Sequence, residues 1–102
     1  PMLYGAHHDI FPLERRSGEA RRVQVVGPVC ESTDVFSKAV ELVAPKRGDL
    51  LAIMTAGAYG MVMSSTYNAR VRPAEVVINA SGDSWAIARR RETWDELIRG
   101  EL

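Results

Sequence analysis

The sequence predicts a mostly β domain, a Greek-key-like barrel or sandwich with short helical pieces and a C-terminal helix. Three observations carry that prediction. Apolar or alternating segments recur at 21–29, 50–54, 74–80 and 84–90, each bounded by glycine, proline or polar turn residues. Helical signals are confined to short stretches and to the tail. The length of 102 residues allows one hydrophobic core, with about 65% of the extended chain's surface buried, but not two.

Taken in order, residues 1–13 (PMLYGAHHDIFPL) read as extended structure broken by Gly5 and Pro12, and Ser17–Gly18 reads as an exposed turn within a charged stretch. RRVQVVGPV, residues 21–29, alternates as a strand with Val23 and Val25 on one face, and Gly27–Pro28 interrupts it because Pro28 has no N–H for the ladder. CESTD, residues 30–34, is a polar loop at a strand end, where scaffolds commonly hold functional groups. VFSKAVELV (35–43) fits helix and strand equally, and PKRGD (45–49) is a turn. LLAIM (50–54) predicts a buried strand, TAGAYG (55–60) a small-residue turn, and MVMSSTYN (61–68) one or two helical turns. AEVVINA and SWAIARR predict two strands joined by a hairpin at Gly82–Asp83. The tail, 92–102, predicts a helix with Thr93 and Glu96 at capping-box spacing and Trp94, Leu97 and Ile98 on one apolar face.

Thirteen basic and thirteen acidic residues cancel, so no global field draws the chain to nucleic acid or to an anionic membrane. The arginine runs at 15–16, 21–22 and 89–91 are flanked by acids and read as solvated faces. No apolar run approaches the ~18 residues of a bilayer span. The single cysteine, Cys30, makes neither an internal disulfide nor a multi-cysteine zinc site, and points to a reducing cytoplasm. The chain opens on Pro1 rather than methionine, which predicts a segment of something longer.

Three loops could carry chemistry. Cys30–Glu31 joins a thiol, able to give or take a proton, to a carboxylate able to hold a cation; composition alone favours a buried, inert cysteine beside an exposed glutamate. Ala56–Gly60 has small residues that let backbone N–H groups approach a ligand, with the Tyr59 hydroxyl added; as residue types they fit a tight turn with a packed tyrosine better, and no nucleotide fingerprint is present. His7–His8–Asp9 is a poor metal site, since neighbours on a strand point to opposite faces, so no metal is expected. Met61, Val62 and Met63 read as core filler.

Together the loops say more than each alone. LYGAHHDI at 3–10, VVGPVCESTDVF at 25–36 and GDLLAIMTAGAYGMVMSSTYNARVRPAEV at 48–76 form an ordered series. It resembles the C-terminal part of the diaminopimelate decarboxylase family, pyridoxal-phosphate enzymes of the alanine-racemase-like fold type (fold type III). The family pattern more often carries glycine where this chain has Thr33, an exchange that removes no catalytic group.

The resemblance implies a two-domain parent. An N-terminal (β/α)8 barrel would carry the cofactor-linked lysine and the phosphate loop, and residues 1–102 would form the C-terminal β-domain, with that barrel absent. Lys38 and Lys46, the chain's two lysines, lie outside any family cofactor motif, so this stretch alone is expected to be inactive and to bind no pyridoxal 5'-phosphate. Residue by residue, the resemblance implies that Cys30 protonates the substrate carbon once carbon dioxide has left. Glu31 would bind the substrate's distal ammonium. Tyr4 would hydrogen-bond the substrate, and Tyr59 would stand at substrate and cofactor. The parent would be a cytoplasmic homodimer acting on a small amino acid, with Cys30 and Glu31 serving the opposite subunit's site. The Cys-Glu-Ser and Gly-Ala-Tyr-Gly contexts favour diaminopimelate over a sister decarboxylase acting on arginine, ornithine or carboxynorspermidine; a stand-alone β module for binding or oligomerisation is the alternative from another class.

Overall fold

Strands paired in twos make up most of the regular structure in the computed structural model, which describes residues 5–101. The chain divides into two units, the first ending at Ala58 and the second beginning at Tyr59. The coarse prediction holds: the chain is mostly β with short helical pieces.

In the first unit, β1 (Ile10–Pro12) pairs antiparallel with β4 (Leu51–Ile53), and β2 (Ala20–Val26) pairs antiparallel with β3 (Val35–Val43). Leu13 N–H donates to the Leu50 carbonyl at 2.9 Å and Met54 N–H to the Asp9 carbonyl at 2.8 Å, so the short β1–β4 ladder continues past both ends. Pro12 sits at the last position of β1, where its missing N–H is tolerated. β1 also lies against β3, and the two buried apolar residues among the described residues, Ile10 and Leu42, come from these strands.

The ambiguous stretch 35–43 is strand, and its ambiguity has a structural cause. β3 has nine residues against seven in β2, and the register slips between Val23 and Val25 and again between Val25 and Val26. Each slip places an extra residue on β3, which changes the face that follows and blurs the period-two pattern. β2 keeps its alternation, with Val23 and Val25 half-buried between exposed neighbours. The turn at 45–49 closes on Asp49, whose Oδ2 accepts from Lys46 N–H at 2.7 Å and whose Oδ1 pairs with Arg16 Nη2 at 2.5 Å. Gly48 takes φ 95° there, a conformation that favours glycine.

Three expectations need correcting. LLAIM is a strand but only half-buried, with Leu50 and Met54 exposed; its ladder with β1 takes in only Leu51–Ile53. Val62 and Met63 are exposed rather than core filler, and only Met61 is half-buried. The first helical turn falls earlier than predicted, as α1 (Gly57–Gly60), and a 3-10 turn follows at Tyr67–Ala69.

In the second unit, β5 (Glu75–Ile78) and β6 (Trp85–Arg89) form the predicted hairpin. The connection is broader than Gly82–Asp83: Asn79 N–H donates to the Ser84 carbonyl at 3.0 Å, and the Asn79 side chain bonds Ser81 Oγ and Asp83 Oδ1. The hydrogen bond from the Asn79 side chain, and after it one from Ser81, holds the Asp83 carboxyl below its ordinary range. α2 (Trp94–Ile98) has the predicted capping box, with Thr93 Oγ1 accepting from Glu96 N–H and the Glu96 carboxylate accepting from Thr93 N–H at 2.9 Å. Arg72 and Glu92 tie the segment before β5 to the one before α2, the Arg72 Nε donating at 2.6 Å. Val76, Val77, Ile78, Trp85 and Ile87 of the hairpin are all exposed, as are Trp94 and Ile98 of α2.

Candidate functional site

The polar loop between β2 and β3 is built by one aspartate. Gly27 N–H donates to the Asp34 carbonyl at 2.8 Å, the last ladder bond of the hairpin. Pro28 has no donor to offer, so Val29 supplies the next N–H, and Asp34 Oδ2 accepts it at 2.9 Å. Within the loop, Asp34 N–H donates to the Glu31 carbonyl at 3.0 Å and Val35 N–H to the Thr33 carbonyl at 2.8 Å. The Asp34 carboxylate lies so close to Gly27 that a Cβ there would overlap it; glycine is required by this approach, not by its backbone angles.

The result presents Cys30 and Glu31 side by side at the loop tip, both exposed. Cys30 is a free thiol, against the expectation of a buried one drawn from residue type. Asp34 draws the Val29 side of the loop back onto the ladder and leaves the next two residues facing out. The Glu31 carboxylate is itself held, its Oε1 accepting from Thr33 Oγ1 at 2.9 Å and Thr33 N–H at 3.3 Å. An exposed thiol beside an oriented carboxylate can deliver a proton and hold a cationic group on a molecule brought to it.

Tyr59 belongs to the second unit, where it is 72% exposed on the small-residue helical turn; its carbonyl accepts from Met63 N–H at 3.0 Å. Tyr4 lies outside the described residues. His7 and His8 are engaged separately, His7 Nε2 with Asp9 Oδ1 at 3.1 Å and His8 Nδ1 with the Met54 carbonyl at 2.9 Å. Among the described residues no three His, Cys, Asp or Glu side chains come together as a metal site, and no helix is long and apolar enough to cross a membrane. A cavity of about 480 Å³ lies between Leu13, Leu42 and Leu51 and is not lined by Cys30 or Glu31.

Asp34, Gly27 and Thr33 escaped the reading of residue types. A usable signal was present: a proline that withholds its N–H, followed six residues later by an aspartate just before a strand.

Residues 1–57 match a family model described as the pyridoxal-dependent decarboxylase C-terminal sheet domain. The chain is 50% identical over 101 residues to the diaminopimelate decarboxylase of Pseudomonas fluorescens, covering 99% of this chain and 24% of that protein. With the diaminopimelate decarboxylase of Deinococcus radiodurans the identity is 48% over 103 residues, 100% of this chain and 26% of the relative. Among solved structures, diaminopimelate decarboxylase from Helicobacter pylori complexed with L-lysine superposes with a TM-score of 0.88 at 40% identity, covering 99% of this chain and 24% of that one. The chain thus spans about a quarter of the length of the relatives it matches.

Proposed function

This chain belongs to the pyridoxal-dependent decarboxylases, as their C-terminal sheet domain, and from that membership we propose that it is the β-domain of a diaminopimelate decarboxylase. The parent enzyme would convert meso-2,6-diaminopimelate to L-lysine and carbon dioxide in lysine biosynthesis. The observation that carries this reading is the Cys30–Glu31 pair, exposed together on a loop braced by Asp34, in a chain nearly half identical along its whole length to enzymes of that name.

The chain's own residues fit the rim of a pyridoxal 5'-phosphate site rather than its floor. Tyr59 stands exposed on a turn of small residues, where its ring and hydroxyl can reach a bound group. Lys38 on β3 and Lys46 in the turn at 45–49 lie outside the family's cofactor motif, so the attachment lysine would come from the barrel of the parent. When bound, the cofactor supplies an electron sink for the bond pair released as carbon dioxide departs. Cys30 Sγ would hold the proton that the substrate carbon then takes up. Glu31 pairs with the distal ammonium of the substrate and so sets which end reacts. L-lysine, the ligand in the Helicobacter pylori structure, carries such an ammonium. Tyr59 and Tyr4 complete the contacts to the amino acid.

Exposed apolar residues support a parent in which other chain covers this domain. Val76, Val77, Ile78, Trp85 and Ile87 of the β5–β6 hairpin are exposed, and a bare two-stranded hairpin with apolar residues on both faces is marginal in water. The barrel and second subunit of a dimeric, two-domain parent would cover them and complete the Greek-key barrel or sandwich. A reducing cytoplasm suits a reaction that depends on a free, exposed thiol.

The test is made in the full-length enzyme that contains this domain. Cys30→Ala should lower kcat by about 10²–10⁴-fold with KM little changed, as expected for loss of a general acid. Glu31→Gln should lower kcat/KM for meso-diaminopimelate by about 10–150-fold, the loss of a charge-assisted hydrogen bond. A full-length wild-type enzyme that releases no carbon dioxide from meso-diaminopimelate would overturn the proposal.

A further inference from the structure

A carboxylate meant to catch one end of a flexible diamino acid works best if it is already aimed. An exposed glutamate has three side-chain torsions to lose on binding, and that ordering weakens the contact it makes. Glu31 is exposed, yet its Oε1 accepts from the Thr33 hydroxyl at 2.9 Å and from the Thr33 N–H at 3.3 Å. Thr33 is in turn fixed through its carbonyl, which accepts from Val35 N–H at 2.8 Å at the start of β3. Among the described residues no protein hydrogen bond reaches Glu31 Oε2. A carboxylate has about four lone-pair sites, so occupation of Oε1 leaves Oε2 able to take an ammonium.

We infer that Thr33 is a positioning residue for substrate specificity: its hydroxyl holds Glu31 with one oxygen turned into the loop and the other presented to the distal ammonium of the amino-acid substrate. This rests on the reading of Glu31 as the ammonium partner. Thr33 touches no substrate; it acts through Glu31, and the hydroxyl rather than the backbone is the stronger of its two contacts.

The experiment compares Thr33→Val, Thr33→Ser and Glu31→Gln in the full-length enzyme with meso-diaminopimelate as substrate. Valine keeps the branch and volume of threonine and loses only the hydroxyl. The expected result is a KM raised about three- to tenfold with kcat nearly constant, because the contact is made alike in ground and transition states. Thr33→Ser, which keeps the hydroxyl, should restore the KM, and the thermal midpoint should be the same for all three threonine-site proteins. An unchanged or lowered KM in Thr33→Val, or a serine variant as impaired as the valine one, overturns the inference. If Glu31→Gln raises KM while Thr33→Val does not, the positioning role alone falls. If Glu31→Gln leaves kcat/KM unchanged, the assignment of Glu31 falls and the positioning role falls with it.

Discussion

Gly27 and Asp34 should behave as one unit, and a double-mutant cycle exposes it. Asp34→Ala removes the carboxylate that accepts from Val29 N–H at 2.9 Å. A hydrogen bond to a charged group is worth about 1.5–3 kcal/mol, and the half-buried setting of this one puts it toward the lower end. Gly27→Ala places a methyl group where the Asp34 carboxylate now lies. The carboxylate must leave, so the same bond is lost, and residual crowding adds about 1 kcal/mol or more. In the double variant there is nothing left for the methyl group to strike. The double should therefore match Asp34→Ala alone, at about 1.5–2 kcal/mol, with a coupling of roughly 2.5–3 kcal/mol, the whole cost of Gly27→Ala. Amide exchange in the full-length enzyme reads this locally, whatever the remainder of the molecule does on unfolding. Each single variant should speed exchange of the Val29 amide by about tenfold or more, and the double no further. Effects that multiply in the double variant, or a Val29 amide indifferent to Asp34→Ala, would refute the argument that Asp34 braces the loop.

The Glu96 carboxyl is pulled down from an ordinary 4.5 to about 2, first by its hydrogen bond from Arg90 and then by the Thr93 N–H. A lowered folded-state value contributes stability that is present above pH 4.5 and lost as the pH falls toward 2. Thermal unfolding of Glu96→Gln should thus show a deficit at neutral pH that shrinks as the pH drops below about 4.5; a pH-independent deficit would assign the effect to packing. The isolated chain, given pyridoxal 5'-phosphate at micromolar concentration, should develop no saturable visible absorbance; a band lost on changing Lys38 or Lys46 would contradict that. The isolated chain should also sediment as a dimer or larger species at high concentration, given its exposed β5–β6 hairpin, and a strict monomer would count against the covered-face argument.

Where sequence and structure part, the reasons lie in particular residues. The strands at 20–26 and 75–78 were legible because valine and isoleucine cluster between turn signals, and 85–89 because the Gly82–Asp83 turn marks it as the second arm of a hairpin. Residues 35–43 were not, because two register slips break the alternation that marks a strand. The capping box of α2 was legible in full, since Thr93 and Glu96 act through local bonds that need no tertiary context. Burial was least legible. Leu50, Met54 and Met63 are exposed because hydrophobicity marks a residue that needs cover without saying which chain supplies it. Cys30 and Glu31 were visible as residue types and as part of a family resemblance, but their outward presentation depends on the Asp34 bond to Val29, a contact five residues apart that no periodicity signals.

The central claim is that this domain lends Cys30 and Glu31 to a site completed by another chain. Subunit mixing tests it most directly. One full-length parent carries Cys30→Ala and keeps its barrel lysine; the other keeps Cys30 and lacks that lysine. Each alone is inactive, and a mixed dimer pairs one intact lysine with one intact cysteine from different chains. Equal mixing with verified exchange should recover about a quarter of wild-type activity, because half of the re-paired dimers are mixed and each has one complete site of two. No recovery after verified exchange would contradict the shared site.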